Sequence, residues 1–339
     1  MSVSDVKKQT LLNDVKIAFI ADDIKNLTEF GVFHNATFSL MLAAQELNVK
    51  VLLTESNNLK IVKNKIVATF DEVILKREVG NHLKIKSSNE YFLDSLNVIF
   101  ARKDPPVNEN FITYIQMLSL VPHDEFETLI VNNPEGILRA NEKLYIFNVP
   151  DFIPLTLVTS KKEQLFAFLH EHKEAVIKPL FNKGGEGVFY LNVDSINASS
   201  IIEESLANNH TVVIQKYLPE VLNGDKRIIL LNGEPVGGII RTPKPGEFRA
   251  HISRGASFKP LTLSKRDIEI CNALKPFLIR DGLYFAAIDI IGDYLIEVNI
   301  TCPANLYETE QAVNKPLSKM VIEWVLEKAI HNKSMMTSR

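Results

Sequence analysis

Apolar and polar positions along this chain fall into two textures that meet near Pro150. In the first, VKIAFIAD (Val15–Asp22) is a short apolar run closing on acids, TFSLMLAAQEL (Thr37–Leu47) carries good helix formers at helical spacing, and VKVLLTE reads as a second strand. With LNVIFARKDPP (Leu96–Pro106) this order predicts a parallel-sheet α/β unit. The Pro105-Pro106 pair ends the last of these strands, because proline cannot donate to a ladder and restrains its predecessor. LKIVKNKIVATF predicts a small hairpin over Lys63-Asn64-Lys65, and ETLIVNNPEGILRANEKLYIF another short strand and a helix.

In the second texture the strands LTLVTS, AVIKPL, VFYLNV and TVVIQKYLP alternate with helices over KKEQLFAFLHEH and about Ser199 to Ala207. RIILLNGEPVGGIIRT, the helix SKRDIEICNALKPFLIRDG, the hairpin FAAIDIIGDYLIEVNI and an amphipathic helix in KPLSKMVIEWVLEKAI follow. Antiparallel strands with helices on one face give an α+β pattern. The tail HNKSMMTSR is expected to be loose.

The hairpin carries Asp289, Glu297 and Asn299, three oxygen ligands of the kind Mg²⁺ prefers. Glu297 and Asn299, two apart on one strand, face the same side. A three-residue turn over Gly292, Asp293 and Tyr294 puts Asp289 opposite Glu297, whereas a two-residue turn pairs it with Ile296. The same residues would also suit a solvated hairpin face. Ile288, Ile290, Val298 and Ile300 bracket them with side chains that want burial, which favours a cleft floor.

Lys178 in AVIKPL is a lone lysine in an apolar strand, costly unless its ammonium meets an anion or snorkels to water. Behind it, NKGGEGVF sets Gly184, Gly185 and Gly187 in a loop whose N–H groups can cover phosphates, with neither Walker A spacing nor GxGxxG order. TVVIQKYLPE stops at Pro219 and leaves extended backbone that suits an adenine edge or a plain turn. Asp225 and Arg227 share one face at a strand start, and Arg241, Arg249 and Arg254 surround a Pro/Gly-rich loop long enough to be a lid. Converging guanidinium forks suit carboxylates and phosphates. Lys143, in NEKLYIF at a helix, is by its own pattern a solvated surface lysine.

With 339 residues, 46% apolar and 23% charged, the chain can bury one large core or two to three smaller ones. A net charge of −3 without a long basic run lacks the footprint of a nucleic-acid binder, so small molecules are the expected partners. No apolar run approaches the roughly 18 residues of a membrane span, so no membrane partner is expected and a cytoplasmic location is. Cys271 and Cys302 are too few for a disulfide framework and lack metal-ligand spacing.

Taken in order, NEK, IKPL, GGxG, QxYLP, GDKR, NGEPV, DIIGD and ExN resemble the ATP-grasp domain of the bacterial glutathione synthetase family. RKDPP (Arg102–Pro106) belongs to the same pattern, so the likeness runs through most of the chain. The resemblance implies a parallel-sheet, Rossmann-like pre-ATP-grasp α/β domain over residues 1–140 and a two-lobed α+β ATP-grasp domain over 141–330. The lid subdomain would cover about 150–215 and the C-terminal lobe about 216–330, before a loose tail at 331–339.

The same resemblance implies an ATP-dependent ligase that converts γ-glutamylcysteine to an acyl phosphate and joins it to glycine, with two Mg²⁺ ions, Mn²⁺ being an alternative, in a homo-oligomer. On matching positions Lys143 and Lys178 would hold ATP phosphates and the loop from Lys183 to Gly187 would close over them. Gln215, Tyr217 and Leu218 would take the adenine through their backbone, and Asp225 would join in nucleotide binding. Asp289, Glu297 and Asn299 would hold the metal ions. Arg227 and Arg241 would serve the reacting centre, and Arg102 and Arg249 the peptide substrate.

Three segments depart from the family pattern together. His34-Asn35-Ala36-Thr37-Phe38 replaces Lys-Asp-Ser/Thr-Ser/Thr-Phe, and Arg249 to Ala256, RAHISRGA, replaces Arg-Gly-Asn-Leu-Ala-Ala-Gly-Gly. Thr301-Cys302-Pro303-Ala304-Asn305 replaces Thr-Ser-Pro-Thr-Gly. Two rival readings follow: an ATP-grasp ligase with a different acid or amine, and an ATP-binding regulator without turnover. The retained ligands Asp289, Glu297 and Asn299 favour turnover, and a screen of amine acceptors separates the ligases.

Overall fold

A seven-stranded mixed sheet forms the first layer. The computed structural model describes residues 15–123, 128–207 and 210–336, with 331–336 as backbone only; the polar stretch before Val15 and the end of the expected tail lie outside them. The chain runs through β1 (Lys16–Ile20), α1 (Glu29–His34), α2 (Ala36–Glu46), β2 (Lys50–Thr54), β3 (Lys60–Val62), β4 (Lys65–Leu75), β5 (Leu83–Phe92), β6 (Val98–Ala101), α3 (Glu109–Ser119), β7 (Leu129–Val131) and α4 (Pro134–Arg139). β2, β1, β6 and β7 pair in parallel, as the apolar runs predict for strands buried on both faces. The β3–β4 hairpin turns on Lys63 and Asn64 alone, both at positive φ, one residue tighter than expected. β5 pairs with β4 along nearly its whole length and has no counterpart in the sequence reading.

Four antiparallel strands, in the order β10, β9, β11, β8, make the second sheet: β8 (Thr156–Thr159), β9 (Glu174–Pro179), β10 (Phe189–Asn192) and β11 (Val212–Lys216). Helices α5 (Lys162–His172) and α6 (Ala198–Ser205) cover it, and Leu165, Leu169, Ile177, Leu191, Ile202 and Ile214 close a core of its own.

The third sheet is β14-β13-β12-β15-β16, with β12 (Asp225–Leu231), β13 (Glu234–Thr242), β14 (Ser257–Pro260), β15 (Phe285–Ile291) and β16 (Tyr294–Asn299). Helices α7 (Lys265–Arg280), α8 (Leu306–Val313) and α9 (Leu317–Met336) complete the chain. A capping box between Ser264 and Asp267 starts α7. The backbone of α9 runs to Met336, into the stretch expected to be loose, with no glycine or proline after Pro316 to stop it.

Alternation along β15 ties the first and third sheets together. Ala286, Ile288 and Ile290 join a core with α7 and one face of the first sheet; Phe285 and Ala287 join another with α2 and α9. Asn132, after β7, clamps the junction: Nδ2 donates to the carbonyls of Phe285 and Ile300 at 2.7 Å each, and Oδ1 accepts from the Phe285 N–H at 2.8 Å. The second sheet keeps a core separate from this pair. No helix among the described residues is long and apolar enough to cross a membrane.

Candidate active site

β15 and β16 join through Gly292 and Asp293 only, with Ile291 opposite Tyr294 and Ile290 opposite Leu295. The expected consequence, Asp289 beside Ile296, does not occur. Ile296 is an extra residue in β16, and beyond it Asp289 stands opposite Glu297 and Ala287 opposite Asn299. A two-residue turn plus a bulge thus gives the alignment for which a three-residue turn had been required. Asp289, Glu297 and Asn299 line one cavity of about 990 Å³.

Lys178, on β9, is buried, which pulls its ammonium down to about 8, with Glu297 partly offsetting the shift. Lys143 lies in a turn before a 3₁₀ segment (Tyr145–Asn148), not on an α-helix. The solvated-lysine reading fails there: Lys143 is buried, its Nζ donates to the Asn182 carbonyl at 2.9 Å and stands 3.2 Å from Glu297 Oε1. Burial raises the Glu297 carboxyl, but Lys143, Lys178 and Arg227 together outweigh it and the net shift is downward. Two lysines, one from the turn before the 3₁₀ segment and one from β9, therefore act on one carboxylate, an arrangement ready for more negative charge.

Gly184, Gly185 and Gly187 all have positive φ. Gly184 and Gly185 line the cavity with Lys183, which contacts Asp104; Gly187 faces away, and a Cβ there would lie 2.9 Å from Pro179 Cγ. Gln215, Tyr217 and Leu218 line the cavity too. The Lys216 and Tyr217 N–H groups are already spent on the carbonyls of Leu155 and Glu174, so an adenine would meet the remaining backbone of the segment.

Four charged side chains interlock on the third sheet. Arg227 donates from Nε and Nη2 to the two oxygens of Asp289, at 2.8 and 2.7 Å. Arg241 grips Asp225 in the same way, at 2.7 and 2.6 Å, and its Nη2 lies 3.2 Å from Asp289 Oδ2. The register explains this, since Arg227 is the cross-strand partner of Asp289 and Arg241 that of Asp225. Burial raises the Asp289 carboxyl, but Arg227 and Arg241 together hold it well below the usual range.

Arg102 is buried at the far end, its Nε donating to Thr37 Oγ1 at 3.0 Å and its Nη2 to the Pro303 carbonyl at 2.9 Å. Arg249 is taken by Glu247, with Nε and Nη2 at 2.9 and 2.7 Å; its guanidinium pulls that carboxyl down to about 2. The remaining Nη1 of Arg249 donates to the Gly185 carbonyl at 3.1 Å, and Arg254 Nε donates to that of Gly184 at 3.0 Å. In this conformation Arg249 latches two loops together. Burial, and then Arg241 and Arg227, pull His251 down to about 4, so it is neutral at physiological pH.

The sequence has close relatives. Residues 15–138 match the family described as "Prokaryotic glutathione synthetase, N-terminal domain", and 142–314 the one described as "Prokaryotic glutathione synthetase, ATP-grasp domain". Glutathione synthetase of Synechocystis sp. is 37% identical over 321 residues, which cover 92% of this chain and 99% of that protein. That of Coxiella burnetii is 36% identical over 299 residues, covering 88% and 92%. This chain belongs to the prokaryotic glutathione synthetase family.

Members of this family are ATP-grasp ligases, and so is this chain. Solved structures agree on the fold. D-cycloserine synthetase DcsG superposes with a TM-score of 0.65 at 14% identity, covering 93% of this chain and 99% of that one; the ATP-grasp ligase PsnB, with Mg and ADP, gives 0.61 at 13%, covering 94% and 99%. As a glutathione synthetase family member the chain shows two site residues that sequence reading left without a role. Oε1 of half-buried Glu142 accepts from the N–H groups of Ile300 and Thr301 and from Thr301 Oγ1, at 2.9, 3.0 and 2.8 Å, pinning the end of the acidic hairpin. Its place beside Lys143 was the available signal. Glu308, on α8, lines the cavity in a stretch for which the sequence reading names no element.

Proposed function

We propose that this glutathione synthetase family member joins the cysteine carboxylate of γ-glutamylcysteine to glycine, with the residues above in the following roles. The chain is an ATP-dependent ligase of glutathione synthesis. The observation that carries the assignment of roles is the convergence of Lys143, Lys178, Asp289, Glu297, Arg227 and Arg241 on one cavity, from three separate parts of the chain.

Lys143 and Lys178 hold the ATP phosphates, drawn away from Glu297 by the larger negative charge, under the Gly184-Gly185 loop. The backbone between Gln215 and Leu218 takes the adenine, and Asp225, as the partner of Arg241, acts on the nucleotide side through that guanidinium. Asp289, Glu297 and Asn299 fit Mg²⁺: all three offer oxygen, and Glu297 meets Lys143 through one oxygen only, leaving acceptor capacity toward the cavity. Bound there, Mg²⁺ supplies charge that neutralises the β- and γ-phosphates.

The chain's own residues position and shield. A carboxylate oxygen of the acid attacks the γ-phosphorus and ADP leaves; the glycine amine then attacks the acyl carbon, phosphate leaves, and the amine gives up a proton. Arg227 and Arg241 balance the charge that passes from phosphate to acyl carbon. Arg102 and Thr37 hold the peptide end, and the loop carrying Arg249 and His251 keeps out water that would hydrolyse the acyl phosphate.

A different acid or amine is the second reading. It is favoured by one observation: His34 to Thr37, Ala250 to Arg254 and Cys302 to Asn305, the segments that depart from the family pattern, all reach the same cavity. Phosphate release with γ-glutamylcysteine and glycine, each then replaced by relatives, tests both. Product with that pair supports the main reading; turnover only with another pair replaces it; no phosphate release with any pair rejects ligase chemistry. We further propose a cytoplasmic, homo-oligomeric enzyme.

A further inference from the structure

Asn305 opens α8 with φ 67 and ψ 25, a left-handed conformation that asparagine tolerates and most residues do not. Its carbonyl is fixed by Thr309, whose N–H and Oγ1 donate to it at 3.1 and 2.7 Å. Its side chain lies between two kinds of charge. Oδ1 accepts from Arg227 Nη1 at 3.3 Å and from Arg241 Nη1 at 3.2 Å, while Nδ2 donates to Glu308 Oε1 at 3.3 Å. Two donors on one side and a carboxylate on the other fix which way the amide points. The same Glu308 oxygen lies 3.0 Å from His34 Nδ1.

We propose that Asn305 is a positioning residue that holds the free ends of both guanidiniums, with Glu308 and His34 keeping its amide in orientation. Asp289 and Asp225 fix Nε and Nη2 of the two arginines, and Nη1 is the corner of each fork left to Asn305. Few side chains meet the three demands at once. Glycine, which the family pattern carries here, accepts the backbone but gives neither Nη1 an acceptor. Aspartate would accept from both arginines and set a carboxylate against Glu308. His34 and Asn305 both belong to segments that depart from the pattern, and they meet on Glu308 from opposite sides. The replacements are thus one linked change that stiffens the arginine pair at the acid-substrate end of the cavity.

The inference rests on the reading of Arg227 and Arg241 as groups of the reacting centre, and its test separates the two. Asn305→Gly keeps the backbone conformation without strain. Its kcat should fall about tenfold, the size of a lost hydrogen bond to a charged group, with the KM for ATP and the melting temperature unchanged. Asn305→Asp should lose at least as much. Asn305→Asp with Glu308→Gln exchanges donor and acceptor across the same contact and should recover most of the kcat. Arginine Nε–H NMR signals of the whole enzyme give a readout independent of turnover: those of Arg227 and Arg241 should broaden or shift in Asn305→Gly and return in the double variant. Unchanged arginine signals in Asn305→Gly, or a double variant no better than Asn305→Asp, would overturn the positioning role. Moved arginine signals with kcat untouched would instead reject the reading that the arginines serve the reacting centre.

Discussion

Arg227 and Asp289 are register partners on adjacent strands, and the guanidinium grips the carboxylate through Nε at 2.8 Å and Nη2 at 2.7 Å. The grip keeps Asp289 ionised deep in the protein, so it can serve as a metal ligand at any physiological pH. Removing that charge leaves Arg227 buried without its main partner. Asp289→Asn should therefore lose both stability, by about 3 kcal/mol, and turnover, checked by denaturant melts and phosphate release on the same sample.

Glu297→Gln keeps the shape of the side chain and removes the charge that meets Lys143 and that we propose for Mg²⁺. Turnover should drop about 100-fold or more, the scale seen when one preorganised electrostatic group is lost, with a raised Mg²⁺ requirement. Asn299→Ala should be milder, because water can replace a neutral ligand. Near-normal rates and an unshifted Mg²⁺ titration in both variants would show that the hairpin does not bind metal.

Lys178 sets a pH dependence whose sign is fixed by its environment. Its folded value, about 8, lies below the ordinary lysine value of 10.5, so the unfolded chain binds this proton more tightly. The cost of burying the charge is present below pH 8 and is relieved as pH rises from about 8 toward 10.5. On the proposed role of Lys178, ATP has the opposite preference, since its phosphates would need the ammonium. ATP affinity should weaken above pH 8, with proton uptake on binding visible by calorimetry in buffers of different ionisation enthalpy. Lys178→Met should bind more weakly at pH 7 and lose that trend.

A methyl group at Gly185 would lie 2.8 Å from His251 Cδ2 and 3.1 Å from Arg249 Cδ, in a backbone with φ +70. Gly185→Ala should separate the glycine loop from the arginine loop without disturbing the cores. Phosphate release should then exceed peptide formation, as water reaches the acyl phosphate. Protease cleavage between Arg241 and Gly255 should also stay fast when ATP and the acid are present, whereas in the native enzyme the two ligands should protect. Tight coupling and normal protection in the variant would disprove the latch.

Gly136 on α4 has no such freedom, because a Cβ would fall 1.9 Å from the Asp281 carbonyl oxygen. That contact joins the first sheet's helix to the end of α7, so Gly136→Ala should cost about 3 kcal/mol of stability, measurable as a lower melting temperature. A neutral melt would mean that the two layers can separate there without penalty.

The sequence by itself determined the strands and helices whose burial is lopsided. β1, with Ile17 and Phe19 on one side and Ala18 and Ile20 on the other, is apolar throughout, and such a run has few alternatives. The ordered motifs from Lys143 to Asn299 named the family, because backbone and ligand chemistry keep their order even when each piece is weak. β5 escaped because LKIKSSNEYF is exposed or half-exposed along its length and lacks the alternation that burial imposes. Only the tertiary structure decided the pairings of charge. Ile296 bulges out and restores Asp289 to Glu297 with no glycine or proline within β16 to mark it, whereas the β12–β13 ladder shifts between Ile229 and Leu230 where their partners are Gly237 and Pro235. Lys143 reads as a surface residue until Asn182 and Glu297 close on it, and Glu308 gives no local signal until His34, 274 residues away, reaches it. Local pattern records whether a side chain is buried, whereas which charge it meets depends on register and on chain returning from far along the sequence.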